Sequence, residues 1–104
     1  MAAFDPSKIE GFVWDKGNLE HIKKHYVEFG ECEQVFFNTP ILVGEDKTHS
    51  QTEKRFEVLG KTNNKRLLFV VYTVREGKIR IVSARDQNKK ERREYEKTKE
   101  NSKI

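Results

Sequence analysis

The pattern of apolar and polar positions divides the chain into a helical first part and a sheet-like second part. Phe12-Val13-Trp14 reads as a short strand, and Asp15, Gly17 and Asn18 bring turn and helix-start chemistry directly after it. A helix is expected from about Leu19 to His25, because Leu19, Ile22 and Tyr26 keep the i, i+3, i+7 spacing of one apolar stripe. A second short helix, about Phe29 to Phe36, is marked by Cys32, Val35 and Phe36 and stopped by Asn38-Thr39-Pro40. Ile41-Leu42-Val43 is a strand that ends at Gly44, and the polar stretch from Glu45 to Glu53 is a connection.

Beyond that connection the period falls to two. From Arg55 to Lys61, Phe56, Val58 and Gly60 alternate with Arg55, Glu57 and Leu59. Thr62-Asn63-Asn64-Lys65 is a hairpin turn, since asparagine tolerates positive φ. Leu67 to Tyr72 is apolar on both faces and therefore central, and Arg75-Glu76-Gly77 turns the chain into a last strand, Lys78 to Ala84. Three short connections make an antiparallel meander. The expected fold is α+β, with two N-terminal helices on one face of a small, mostly antiparallel sheet and a basic C-terminal helix. That helix runs from Asn88 to Glu100 and opens with the Asn-x-x-Glu form of a capping box. Only Tyr95 in it is bulky and apolar, so it should lie loosely, extend into solvent, or wait for a partner. Residues 1–10 read as a loosely ordered leader and residues 11–104 as a single domain.

Composition narrows the function classes. The chain has 104 residues, 35% hydrophobic and 37% charged, which allows one modest core in a soluble protein. A net charge of +4 favours acidic partners without requiring them. The single Cys32 forbids an internal disulfide and reads as a small core residue. There is no secretory signal pattern, and the longest near-continuous apolar run, Leu67 to Val74, is too short to cross a bilayer. The expected location is the cytoplasm, with no membrane contact.

The last strand carries the most distinctive chemistry. Strict alternation puts Ile79, Ile81 and Ser83 on one face and Arg80 and Val82 on the other. A mid-strand arginine needs an anionic partner or an open face. Arg85 follows at the strand end, beside Lys89, Lys90, Arg92 and Arg93, and this cluster suits a polyanion, RNA above all. The plainer alternative is a half-exposed strand running into a solvated helix.

Other chemistries lack their motifs. His21 and His25 have a metal-compatible spacing, but a third ligand would have to come from His49 or a carboxylate, and no metal or other cofactor is expected. Neither Ser50 nor Ser83 sits in a Gly-x-Ser-x-Gly turn, and no phosphate-binding glycine loop is present. Glu45, Asp46 and Glu53 are too scattered to define a carboxylate pair. What remains is metal-free phosphodiester chemistry, because RNA carries its own nucleophile in the 2′-hydroxyl. Arg80 with Arg85 is a candidate phosphate clamp, and His25, Glu91 and Tyr95 are candidate proton carriers. No spacing assigns those roles by itself.

The run Phe12-Val13-Trp14-Asp15-Lys16-Gly17-Asn18, then His21-Ile22-Lys23-Lys24-His25, resembles the opening of the BrnT family of bacterial toxins. The likeness continues through Glu33-Gln34-Val35-Phe36-Phe37, Glu45-Asp46, His49-Ser50, Arg55, Gly60-Lys61-Thr62, Arg66-Leu67-Leu68 and Thr73. It closes on the Ile79 to Arg85 segment and Glu91-Arg92-x-x-Tyr95. Tyr26 departs from the pattern, standing where the family usually has glycine. The resemblance implies a RelE-like fold and a ribonuclease toxin that stops translation. It also implies a small BrnA-like antitoxin partner, whose complex with the toxin represses their operon, so that DNA is met only through that complex. Arg55, Arg66, Lys89 and Arg92 are further candidates for RNA contact. The alternative from a different class is a non-catalytic RNA- or protein-binding module, a degenerate toxin.

Overall fold

Helix formation begins where Asp15 supplies the cap. In the computed structural model, which describes residues 8–49 and 53–102, the Asp15 carboxylate accepts the Asn18 amide at 3.0 Å. In return the Asn18 side chain accepts the Asp15 amide at 2.8 Å. This reciprocal cap starts α1, Lys16–Lys23, one turn earlier than the apolar stripe alone suggests. Asn18 is buried, and its side-chain amide donates to the Val13 carbonyl at 2.9 Å, tying the helix start to β1, Phe12–Val13.

The stripe on α1 is narrower than its spacing implies. Ile22 is buried, but Leu19 is 38% exposed and Tyr26 is 88% exposed. Tyr26 serves the backbone instead. The Val27 amide donates to the Ile22 carbonyl and the Tyr26 amide to the Lys23 carbonyl, the paired bonds of a Schellman ending. That ending holds Tyr26 at φ 58°, a conformation glycine adopts without steric cost, and buries Val27 in the cluster that holds Ile22.

α2, Phe29–Val35, follows, then β2, Leu42–Glu45, and a 3-10 turn at Lys47–His49. The chain continues through β3, Phe56–Lys61; β4, Leu67–Arg75; β5, Lys78–Asp86; and α3, Lys89–Ser102. The five strands form one sheet in the order β1-β5-β4-β3-β2. Neighbours from β2 to β5 are antiparallel, and β1 joins β5 in parallel, so an α+β domain with three helices stands on a mixed sheet. The hairpin turns use unexpected residues. Positive φ falls on Lys65 (67°) after Asn63-Asn64, and on Glu76 (52°) with Gly77 (80°) in the two-residue turn before β5.

Leu68, Val70 and Tyr72 of β4, with Val58, Ile79 and Ile81, meet Ile22, Val27, Cys32, Val35 and Phe36 in one cluster. The Phe36 and Tyr72 rings meet edge to face at 5.0 Å. Burying each aliphatic side chain there is worth about 1.5–3 kcal/mol. At Gly60 an added Cβ would come within 2.6 Å of Val35 Cγ1, so only glycine lets α2 approach β3 this closely. Burial first, and then Glu31 and Glu33 nearby, push the Cys32 thiol up to about 12, which keeps it a protonated core residue.

Residues near both ends of the described part make specific contacts with the domain. Residues 1–7, most of the expected leader, lie outside the described residues. Ile9 packs against the core, and the Glu10 amide donates to the Gly77 carbonyl at 3.0 Å. The expectation that the tail helix lies loosely is corrected for its first two turns, where polar contacts supplement its one aromatic. Tyr95 is fully buried and its hydroxyl donates to the Pro40 carbonyl at 2.7 Å. The Arg92 guanidinium donates to the Gln87 carbonyl at 2.9 Å. The buried Gln87 amide in turn reaches the carbonyls of Gly60 and Leu68.

Candidate active site

Arg80 and Arg85 are five residues apart, so a regular strand would point them to opposite faces. β5 is not regular. Val71 of β4 pairs with Ser83 and Tyr72 pairs with Ile81, which leaves Val82 as the extra residue of a β-bulge. The expected grouping of Ser83 with Ile79 and Ile81 is therefore corrected. Arg80 stands opposite Thr73, Ser83 opposite Val71 and Arg85 opposite Phe69, so all three share the face turned away from the Val70 and Ile81 core.

The same face continues across β3 and β2. Glu57 lies between Val71 and Gly44, and Leu59 between Phe69 and Leu42. With strands about 4.8 Å apart, Glu57 stands roughly 10 Å across the sheet from Ser83. Arg80 and Arg85 are separated by four β4 residues, about 13 Å along the strand. Glu57 falls between their two rows. Leu42, Leu59 and Phe69 floor a cleft of about 560 Å³, walled by Glu57 on the sheet and by Glu91 and Lys90 on α3.

Each arginine is held by a carboxylate. Arg85 grips Glu91 through two bonds, Nη1 to Oε1 at 2.8 Å and Nη2 to Oε2 at 3.0 Å, while its guanidinium stacks 4.2 Å above the Phe69 ring. Glu91 also caps α3 in a reciprocal pair with Asn88. Burial would push the Glu91 carboxyl up, but the Arg85 guanidinium and the Asn88 amide outweigh it and hold the group below the usual carboxylate range. Arg80 donates to Asp15 at 3.0 Å, and the Asn18 amide first, then Arg80 against the opposing effect of burial, keep the Asp15 carboxyl low. Arg75 pairs with Glu53 at 2.7 Å, and Glu53 also feels the charges of Arg80 and Arg55. One end of the face thus gathers Arg55, Arg75 and Arg80, and the other end Arg85.

Glu57 behaves oppositely to those carboxylates. Burial, then the charges of Asp46 and Glu91, raise its pKa, with Arg85 and His49 acting weakly against them. Close by, the His49 ring Nδ1 lies 2.8 Å from Asp46 Oδ2. Neither Glu57 nor Arg75 stands out in the sequence, although the alternation carries a signal for both. Glu57 shares a face with Leu59, and Arg75 with Phe69 and Val71.

The remaining candidates lie elsewhere. His25 sits in the turn behind α1, and Arg66 reaches its carbonyl at 3.5 Å. The Arg66 guanidinium also meets Glu31 at 3.0 Å, Asp86 at 2.7 Å and the Tyr26 carbonyl at 2.9 Å, so its donors are committed to joining the α1–α2 turn to the sheet. Tyr95 spends its hydroxyl on Pro40, and burial followed by the Glu96 charge pushes it up to about 12. Lys89 and Arg92 lie with Arg93 and Lys97 along a shallow groove on α3. Among the described residues no three His, Cys, Asp or Glu side chains gather as a metal site requires. Within the same residues no helix is long and apolar enough to cross a membrane.

A small α+β domain presents a sheet face on which Arg75, Arg80 and Arg85 are each paired with a carboxylate, beside a cleft floored by Leu42, Leu59 and Phe69. The family model described as "Ribonuclease toxin, BrnT, of type II toxin-antitoxin system" matches residues 14–91, and the chain belongs to that family. No curated protein matches the chain. The matched segment runs from Trp14, whose ring donates to Glu33 at 2.8 Å, to Glu91, the partner of Arg85.

Proposed function

We propose that the chain is a metal-independent endoribonuclease toxin on a RelE-like scaffold, acting in the cytoplasm to cut RNA and stop translation. The observation that carries this reading is the bulge at Val82, which turns Arg80 and Arg85 to one face of the sheet. With backbone rows about 13 Å apart, the two long side chains can lean inward onto two phosphates of one strand rather than share a single one. RNA would run from the Arg55, Arg75 and Arg80 end, over Val71 and Phe69, to Arg85, with Lys89, Arg92 and Arg93 extending the track along α3. Arg85 lies over the Phe69 ring, and the outer face of its guanidinium would give a base a plane to stack on.

Asp15 and Glu91 hold these cations in place until phosphate displaces them. A BrnA-like antitoxin with acidic and apolar side chains would occupy the same face and silence the enzyme by competition. DNA would be met only through that complex. The test is induction of the gene in growing cells. Arrest that is relieved by the cognate antitoxin, and lost when Arg80 and Arg85 are both changed to Ala in a folded protein, supports the reading. Undisturbed growth with soluble, folded toxin present overturns it.

A further inference from the structure

Resting on that ribonuclease reading, we infer that Glu57 is the general base, taking the proton from the 2′-hydroxyl of RNA laid across the cleft. Position is the first argument. Glu57 is the one carboxylate of β3, and it lies on the arginine face in the row between those of Arg80 and Arg85, one strand from Val71, over which the proposed RNA track passes. Availability is the second. Asp15, Glu53 and Glu91 each grip an arginine and are held ionised, whereas among the described residues Glu57 grips none. Its neighbours across the strands are Val71 and Gly44.

Access is the third argument. Gly44 has no side chain to cover Glu57, and a Cβ built there meets nothing within 4 Å. The strand pairing thus leaves one side of the carboxylate open to the cleft. Its chemistry also fits, because partial burial, then the like charges of Asp46 and Glu91, make Glu57 a stronger base than the arginine-paired carboxylates.

The reaction balances with RNA and water alone. Glu57 removes the proton from O2′, O2′ forms a bond to phosphorus, and the P–O5′ bond breaks with its electron pair leaving on O5′. O5′ takes a proton from water, and the hydroxide formed recovers the proton from Glu57. The products are a 2′,3′-cyclic phosphate and a 5′-hydroxyl. One of the two arginines holds the scissile phosphate on the 3′ side of the sugar carrying O2′ and bears its developing charge, and the other holds the phosphate on the 5′ side.

The experiment compares purified wild type, Glu57→Gln and Gly44→Val on a defined RNA oligonucleotide in excess EDTA. Glu57→Gln should bind RNA as wild type does but cut it about 10²- to 10⁴-fold more slowly, and lose the acidic limb of the pH–rate profile. Gly44→Val should stay folded, since its side chain enters open space, and lose cleavage by shielding Glu57. If wild type cuts and Glu57→Gln cuts within about threefold of it, this assignment falls while the ribonuclease reading stands. If folded wild type leaves RNA intact, the ribonuclease reading itself falls.

Discussion

Arg85 and Glu91 form a two-pronged ion pair, 2.8 and 3.0 Å, across the joint between β5 and α3. The pair both fastens the helix and occupies a guanidinium that RNA would need. Replacing Glu91 by Gln keeps the cap, because glutamine also serves in a capping box, and removes the competing charge. Glu91→Gln should therefore bind RNA more tightly than wild type, with a small fall in Tm. Arg85→Ala should lose affinity, and the log–log slope of its salt dependence should flatten by about 0.7 for each phosphate that Arg85 neutralises. Filter binding across a salt series, alongside thermal melts, checks both. If Arg85→Ala binds RNA like wild type and only melts earlier, Arg85 is a helix fastener and nothing more.

Glu57 makes the opposite prediction for stability. Its folded pKa lies above the unfolded value, so the folded state holds the proton more tightly. That favours folding at acid pH, and the benefit is lost as pH rises through the folded pKa. At neutral pH the ionised group is a burden on the fold. Glu57→Gln should accordingly melt higher than wild type at pH 7 while cutting RNA poorly, and its advantage should shrink as the pH is lowered toward the carboxylate range. Melts at several pH values read this directly. A lower Tm at pH 7 would mean that Glu57 has a structural partner.

Tyr26 at φ 58° is a side chain in a glycine's place. Its ring is 88% exposed, so little packing is lost on removal. Tyr26→Gly should relieve strain of about 1–2 kcal/mol, less the added freedom of the unfolded chain. The expected rise in Tm is a few degrees, with cleavage unchanged. A clear fall would show that the ring is engaged.

Arg66 joins the α1–α2 turn to the sheet through Glu31, Asp86 and two carbonyls. Removing it leaves the partly buried Glu31 without its cation. Arg66→Ala should cost roughly 1–3 kcal/mol, and Lys should rescue little because an ammonium cannot span those acceptors. RNA affinity, measured on the folded fraction, should be unchanged. A loss of affinity at full folding would return Arg66 to the RNA track.

Much of the fold is legible from residue types and periods. The two-sided apolar run at Leu67 to Tyr72 marks the central strand, and the alternation from Arg55 to Lys61 marks its neighbour. Arginine in mid-strand flags the candidate site. The grouping on β5 is not legible, because a bulge is set by pairing with β4 and leaves no mark in the alternation. Nor is the Asp15–Arg80 pair, which joins residues 65 apart in sequence. Arg66 and Tyr95 look functional by type, yet long-range partners at Asp86 and Pro40 engage them in holding the domain together. Glu57 escapes notice because a lone carboxylate in a half-polar strand reads as solvated until Gly44 and Val71 are found beside it.

On the proposed reading, this arginine-lined face cuts RNA through the RNA's own 2′-hydroxyl. The most direct measurement is end-group analysis of RNA incubated with the purified chain in excess EDTA. The expected products carry 2′,3′-cyclic phosphate and 5′-hydroxyl ends, with no cut at a position where the 2′-hydroxyl has been replaced by hydrogen. Cleavage that proceeds at the 2′-deoxy position, or products ending in 3′-hydroxyl and 5′-phosphate, would contradict it.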